Sequence, residues 1–251
     1  MPPARSVLIT GGASGIGLAT ARAFAAQGCP LLLADISPSV HEVARSLGTP
    51  QAAAHAFEAD MGEETQVLAL ASEAMRLFGG CDVLVNCAGV SQKRDGKAIP
   101  PTEVRTADWE RVLRINLTAP FLLCRELIPA MQRRKFGRIV NVASRAGRTF
   151  SKGAGSDYAA SKAGLIGLTR HLAGTYAADG ITVNAVAPGR VHTPLANTSS
   201  AEVLAKAMQE IPAGRFGTPD EIAQAIVFLA SDGAAYLTGA CLDVNGGGFM
   251  A

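Results

Sequence analysis

The sequence predicts an α/β fold: a single doubly wound domain, with a parallel sheet of about seven strands and helices on both faces. Three observations carry that expectation. Short apolar, branched runs alternate with helix-period stretches along the whole chain, which is the order of strand–helix–strand units. The runs are apolar at nearly every position, as strands buried on both faces are. No repeat, low-complexity tract or Pro/Ser linker divides the chain, so residues 1–251 are expected to form one unit.

The elements follow in order. "SVLIT" opens the alternation close to the amino terminus, and "LATARAFAAQG" continues it as a helix over 15–27. "PLLLAD" then precedes a helix over 39–47, "AHAFEAD" one over 63–78, and "DVLVN" a long one over 106–133. "GRIVNV" precedes a helix over 157–178, "ITVNAV" precedes helices over 201–210 and 219–230, and "CLDV" closes the sheet.

Composition excludes several function classes. Apolar residues make up 48% of the chain and charged ones only 18%, which suits a large buried core and not a disordered segment. A formal net charge of +2 is too small to imply nucleic acid or a membrane surface as partner. The odd set Cys29, Cys81, Cys87, Cys124 and Cys241 contains no CxxC pair, which favours a reducing compartment. With no signal-peptide core and no apolar segment approaching membrane-spanning length, a cytoplasmic protein is expected. His41, His55, His171 and His192 lack metal-ligand spacing, so no metal is expected.

In an open sheet of this kind, ligands gather at the carboxyl ends of the strands near the reversal of strand order. The first strand ends in "ITGGASGIG", where Gly11, Gly15 and Gly17 surround Ser14 and Ile16. The spacing is G-x3-G-x-G rather than G-x-G-x-x-G, yet it still removes side chains where backbone N–H groups and a helix N-terminus would meet a pyrophosphate. Asp35 ends the second strand, at the distance where an acid accepts hydrogen bonds from an adenosine ribose and repels a 2′-phosphate. Ser14 brings no positive charge to that turn. Together they favour NAD, with NADP as the alternative. Asp60, before Met61, either caps the next helix or meets the adenine edge, and the two roles are compatible.

"SDYAASKAG" places Tyr158 and Lys162 four residues apart, on one helix face. Either they are an incidental surface pair, or the amine and an oxidised nicotinamide lower the phenol from its usual value of about 10 and make it an acid–base catalyst.

With "TGGASGIG", "LVNCAG", "YAASK" and "APGRVHTP" in order from Val7 to Gly247, the chain resembles the short-chain dehydrogenase/reductase family. That resemblance implies a Rossmann-type domain and an alcohol dehydrogenase or ketoreductase with a catalytic tetrad of Asn116, Ser144, Tyr158 and Lys162. Ser144 would hold the substrate oxygen, Lys162 the nicotinamide ribose, and Asn116 a proton-relaying water. The resemblance further implies that Asn86, Ala88 and Gly89 support the sheet and contact the cofactor. Val191 and Thr193, after Pro188 and Gly189, would hold the nicotinamide carboxamide. It also implies a homotetramer assembled through the helices carrying Asn116 and Tyr158 and through the last strand.

The carboxyl-terminal half most resembles the family's 3-oxoacyl-(acyl-carrier-protein) reductase branch, which uses NADPH and docks an acidic carrier on two arginines. Here Lys135 and Asp179 stand at those positions, and Asp35 opposes NADP. An NAD-dependent dehydrogenase of a polyol, hydroxy acid or hydroxyacyl substrate is therefore expected first. The branch's own reaction is the alternative, and a non-catalytic nucleotide sensor is a reading of another class. A short substrate lid is expected at about 190–218. Lys93, Arg94, Lys97, Arg145, Arg148, Arg190 and His192 lie in loops near the expected mouth. Either they draw an anionic small-molecule substrate or they are solvated loop charge.

Overall fold

The computed structural model describes residues 5–193, 204–205 and 208–250. Seven parallel strands, β1 (Val7–Thr10), β2 (Leu31–Asp35), β3 (Ala54–Glu58), β4 (Val83–Asn86), β7 (Gly137–Val142), β8 (Ile181–Pro188) and β9 (Cys241–Val244), form one sheet in the order β3-β2-β1-β4-β7-β8-β9. A two-stranded antiparallel hairpin, β5 (Lys93–Arg94) and β6 (Lys97–Ala98), stands apart from it. The helices are α1 (Gly15–Ala25), α2 (Ser39–Leu47), α3 (Glu64–Phe78), α4 (Thr106–Leu113), α5 (Ala119–Arg134), α6 (Ser156–Tyr176) and α7 (Pro219–Leu229).

The continuously apolar strands divide their side chains between two faces. Leu8, Leu32, Leu84, Ile139 and Val183 pack with Leu70 of α3 and Leu123 and Leu127 of α5. Their neighbours Val7, Ile9, Leu31, Leu33, Val85 and Val140 pack with Phe24 of α1, Val40 of α2 and Ile226 of α7. Strands buried on both faces are mostly apolar, and each fully buried aliphatic side chain contributes roughly 1.5–3 kcal/mol.

Three details depart from the sequence expectation. The helix expected unbroken over 106–133 is interrupted by a π-type turn at Arg114–Thr118, where Ala119 N–H donates to Arg114 C=O. The third strand stops at Glu58, so Asp60 lies in the turn beyond it and not at the strand's last position. The β5–β6 hairpin was not anticipated, although its two-residue turn, Asp95 at φ 50° and Gly96 at φ 72°, is the Asp-Gly pairing that hairpins with positive φ at both turn positions prefer. Of the helix expected over 201–210, residues 201–203 and 206–207 lie outside the described residues, as do 194–203 and 206–207 of the lid expected at about 190–218. Among the described residues no helix is long and apolar enough to cross a membrane.

Candidate active site

The strand order reverses between β1 and β4, and the turns that leave these two strands meet there. Thr10 Oγ1 accepts from the N–H groups of Cys87 and Ala88, both at 3.1 Å. Gly11, at φ 70°, passes so near that a Cβ on it would stand 3.0 Å from Ala88 Cα. At Gly17 a Cβ would stand 1.9 Å from Gly11 O. Neither position admits a side chain, so the turn is closed tightly over the start of α1. Ser14 makes no side-chain cap bond there, which leaves the first-turn N–H groups of α1 for a ligand.

A cavity of about 360 Å³ opens along these carboxyl ends. Its walls bring together Gly11, Ser14, Gly15, Ile16, Gly17, Asp35, Asp60, Met61, Ala88, Gly89, Ser144, Tyr158, Lys162, Pro188, Gly189, Val191 and Thr193. Of the sequence-predicted site residues, Asn86 and Asn116 are absent from that wall. The side chain of Asn86 is buried, donating to Asn141 Oδ1 at 2.8 Å, and Asn141 in turn donates to Thr169 Oγ1 at 2.9 Å. Its place is in the support of the sheet, beneath the cleft floor.

Asn116 sits in the π-type turn with no exposed surface. Its Oδ1 accepts from Val90 N–H and its Nδ2 donates to Val90 C=O, each at 2.9 Å. Nδ2 also donates to Ser161 Oγ at 3.0 Å. These bonds tie the loop after β4 to α6 at the residue before Lys162. An insertion of this kind in a helix recurs at functional sites because it re-aims one side chain.

Asp35 is held in place by two backbone donors. Ala13 N–H reaches Oδ2 and Ser37 N–H reaches Oδ1, both at 3.0 Å. Each carboxylate oxygen keeps acceptor capacity on the cleft side. Asp60 does not serve as the N-cap of α3, a position taken by Glu63. It instead closes its own turn by accepting from Gly62 N–H at 2.7 Å and pairs with Arg111 of α4 at 3.3 Å.

Ser144 follows β7 and accepts from Ala146 N–H at 3.1 Å, which turns the chain into a short 3-10 segment. Gly147 ends that segment against α6, where a Cβ would stand 2.6 Å from the backbone carbon of Lys162. This close contact sets the Ser144 turn beside Tyr158 and Lys162, and all three line the cleft. Lys162 Nζ donates to Val142 C=O at 2.7 Å and lies 5.7 Å from the centroid of the Tyr158 ring. Burial brings the amine down to about 8. The tyrosine does not show the lowering expected from its lysine: burial raises it, opposed by the Ser144 hydrogen bond and then by the charge of Arg190. Cys87, in the same wall, has its thiol pushed up to about 12 by burial, so it is a neutral group there.

The seven cations expected near the mouth separate into two groups. Arg94 pairs with Glu103 at 2.5 Å, Arg148 reaches Cys241 C=O and Asp243, His192 meets Phe216 edge-to-face, and Lys97 is exposed. Lys93, Arg145 and Arg190 line the cleft. Sequence reasoning did not single out Ile36, an exposed apolar residue beside Asp35 in the same wall.

A nicotinamide dinucleotide fits this frame. The turn lacks Cβ atoms where a pyrophosphate would approach, Asp35 offers acceptors for a ribose, and Lys162 and Tyr158 stand on a shared face further along the cleft. Among the described residues no group of three or more His, Cys, Asp or Glu side chains could hold a metal ion.

Comparison with known proteins gives a consistent answer. A family model described as enoyl-(acyl carrier protein) reductase matches residues 11–248. The chain is 42% identical to a cis-4-hydroxycyclohexanecarboxylate dehydrogenase of Sinomonas cyclohexanicum, over 97% of this chain and 96% of that protein. It is 37% identical to a 3-oxoacyl-(acyl-carrier-protein) reductase of Aquifex aeolicus, over 96% of each. Among solved structures, a 3-oxoacyl-(acyl-carrier protein) reductase with bound NAD from Brucella melitensis superposes with a TM-score of 0.90. That pair is 36% identical, with 98% of this chain and 92% of the other covered.

Proposed function

The chain belongs to the short-chain dehydrogenase/reductase family, and from that premise we propose that it transfers a hydride between NAD(H) and a secondary alcohol or ketone. The observation that carries this reading is the meeting of Ser144, Tyr158 and Lys162 with the glycine turn and Asp35 in one cleft. In the oxidation direction, Ser144 holds the substrate hydroxyl and Tyr158 takes its proton. Lys162, its amine fixed on Val142 C=O, orients the nicotinamide ribose and keeps positive charge near the phenol. When bound, the oxidised cofactor supplies the hydride acceptor and a further positive charge. That charge matters because burial holds the phenol above its ordinary value in the protein alone. Asn116 keeps α6 and the loop after β4 in register through Ser161 and Val90.

NAD is favoured over NADP because Asp35 is fixed at the ribose end, and a 2′-phosphate there would meet a carboxylate. Arg111, at that end, is already paired with Asp60. A secondary ring alcohol is the substrate named for the Sinomonas relative, which supports this reaction.

The second reading is an NADPH-dependent 3-oxoacyl-(acyl-carrier-protein) reductase, supported by relatives of that name. Against it, Lys135 is engaged by Asp179 at 2.6 Å, which cancels the positive surface an acidic carrier would need. A cofactor sensor without turnover has no chemical need of the Ser144–Tyr158–Lys162 group. We further propose a homotetramer. Phe121 on α5, Phe228 on α7 and Leu242 on β9 are exposed apolar side chains on elements where subunits of this family would meet. Light scattering on the purified protein tests the tetramer. The function is tested by following nicotinamide absorbance with a panel of secondary alcohols and ketones under each cofactor. Turnover with NAD(H) supports the reading, and activity confined to NADPH with thioester substrates replaces it with the second.

A further inference from the structure

The residues that follow β9 close into a hook. Asn245 commits both ends of its side-chain amide to this loop: Oδ1 accepts from Gly247 N–H at 3.0 Å and from Phe249 N–H at 3.4 Å, and Nδ2 donates to Phe249 C=O at 3.1 Å. Its backbone C=O accepts from Gly248 N–H at 3.1 Å. Gly246 and Gly247, at φ 62° and 82°, supply the left-handed backbone that so tight a turn needs. An asparagine whose amide bonds its own following backbone sets the shape of the loop locally.

The hook meets three other parts of the chain. Gly246 C=O accepts from Ala213 N–H at 3.0 Å. Gly189, in the cleft wall, lies so near that a Cβ on it would stand 2.9 Å from Asn245 Cα. The third contact is with the turn that carries Ser144. Arg145 Nη1 donates to Gly248 C=O at 2.9 Å, and the Arg148 guanidinium lies 5.1 Å from the centroid of the Phe249 ring. Arg148 also donates to Cys241 C=O at 3.0 Å and pairs with Asp243 at 3.5 Å, so β9, from which the hook springs, holds the same side chain. Arg145 and Arg148 stand at the two ends of the 3-10 segment whose N-cap is Ser144. Within that turn Ala146 N–H bonds to Ser144 Oγ and Gly147 abuts α6, and the two arginines tie it to the hook.

We propose that Asn245 is a positioning residue for Ser144. By closing the hook it fixes Gly248 C=O and the Phe249 ring, which hold Arg145 and Arg148, and through them it keeps the serine hydroxyl at its place in the cleft beside Tyr158 and Lys162. Asn245 is not among the residues that line the cleft, so it acts through the serine turn and not on a ligand. The effect on catalysis rests on the oxidoreductase reading above: a hydroxyl that orients the reacting oxygen tolerates little displacement, and its loss of register lowers rate more than binding.

The test is amide hydrogen exchange on wild type and Asn245→Ala, followed by mass spectrometry in peptides covering 144–149, with peptides covering β1 as the reference for global opening. Exchange over 144–149 is expected to quicken about tenfold in the variant while β1 is unchanged, and Asn245→Asp, which keeps the acceptor, recovers part of the protection. Phe249→Leu removes the ring from Arg148 but keeps the backbone bonds of the hook; it quickens the same peptides by a smaller factor and serves if the Asn245 variants do not fold. Steady-state kinetics give a second readout. Asn245→Ala lowers kcat about tenfold with the KM for cofactor unchanged, and costs little more when Ser144 is already alanine. A merely structural role would quicken β1 together with the turn and would add its full cost in the Ser144→Ala background. Exchange over 144–149 unmoved in both Asn245→Ala and Phe249→Leu, or a loss of kcat that adds in full to that of Ser144→Ala, overturns the proposal. Faster exchange confined to the turn, in a protein that turns over no alcohol or ketone, upholds the positioning and refutes the oxidoreductase reading.

Discussion

At the β1–β2 end of the cleft the wall is made of backbone and of positions where no side chain fits, whereas at the β5 and β8 end it includes the long cationic side chains of Lys93 on β5 and of Arg145 and Arg190 in turns. The first end is rigid by exclusion: Gly17 has 1.9 Å between an imagined Cβ and Gly11 O, and Asp35 is held by two backbone N–H groups. The second end is determined by charge, and a change of one side chain alters it without disturbing the sheet. A surface built by exclusion suits an invariant ligand part such as a pyrophosphate. One built from side chains suits the part of the chemistry that distinguishes one substrate from another.

Between the two ends lie Ser144, Tyr158 and Lys162, the proposed reacting group, where the largest effect is expected. Tyr158→Phe removes the proton acceptor and should lower kcat by about a thousandfold while cofactor binding persists, as steady-state kinetics and a fluorescence titration would show. Retained function in that variant would support the sensor reading instead. Gly17→Ala probes the exclusion end. The added methyl has no space, so the variant should lose about 3 kcal/mol of stability in urea unfolding and lose cofactor binding with it. A well-folded variant that binds cofactor normally would break the comparison.

A subtler test concerns the charge of Lys162. Its folded value is brought down to about 8 from 10.5 by burial. Between those values the unfolded chain holds a proton at this residue that the folded chain does not, so folding gains stability as pH rises through the window. Measured against Lys162→Met, which lacks the titrating group, the wild type should gain up to roughly 3 kcal/mol between pH 7.5 and 10.5. A difference that stays flat would mean that the amine is better solvated than its burial implies. The smallest effect is expected outside the cleft: Lys135→Ala breaks an exposed ion pair and should leave kcat/KM for small substrates within about twofold.

The same contrast explains what could be read from the chain. Two-sided strands and glycine spacing are local patterns, so the sheet, the turn over 9–17, Asp35 and the Tyr158–Lys162 face were all legible. Asn86 supports the sheet, as the resemblance implied, but it lies off the cleft wall: a strand-end side chain points either toward the cleft or beneath it, and its bonds to Asn141 and Cys124 decide. The π-type turn around Asn116 has no periodicity signal over five residues. The β5–β6 hairpin did carry one, in Asp95-Gly96, and it went unread. The cations were visible as a group of seven, but that Lys93, Arg145 and Arg190 line the cleft while Arg94 and Arg148 lie off its wall required the packing of the loops in space. The direction of the Tyr158 shift also depends on burial, which the i,i+4 spacing does not contain.

In the proposed reading Asp35, held by Ala13 and Ser37 N–H, sets the cofactor choice and so separates this cleft from that of an NADPH-dependent biosynthetic reductase. That role is tested most directly by fluorescence titration of the purified protein with NADH and NADPH, alongside Asp35→Ala. A clear preference for NADH that relaxes in the variant is expected. Preference for NADPH in the wild type, or a preference for NADH that the variant leaves unchanged, would contradict it.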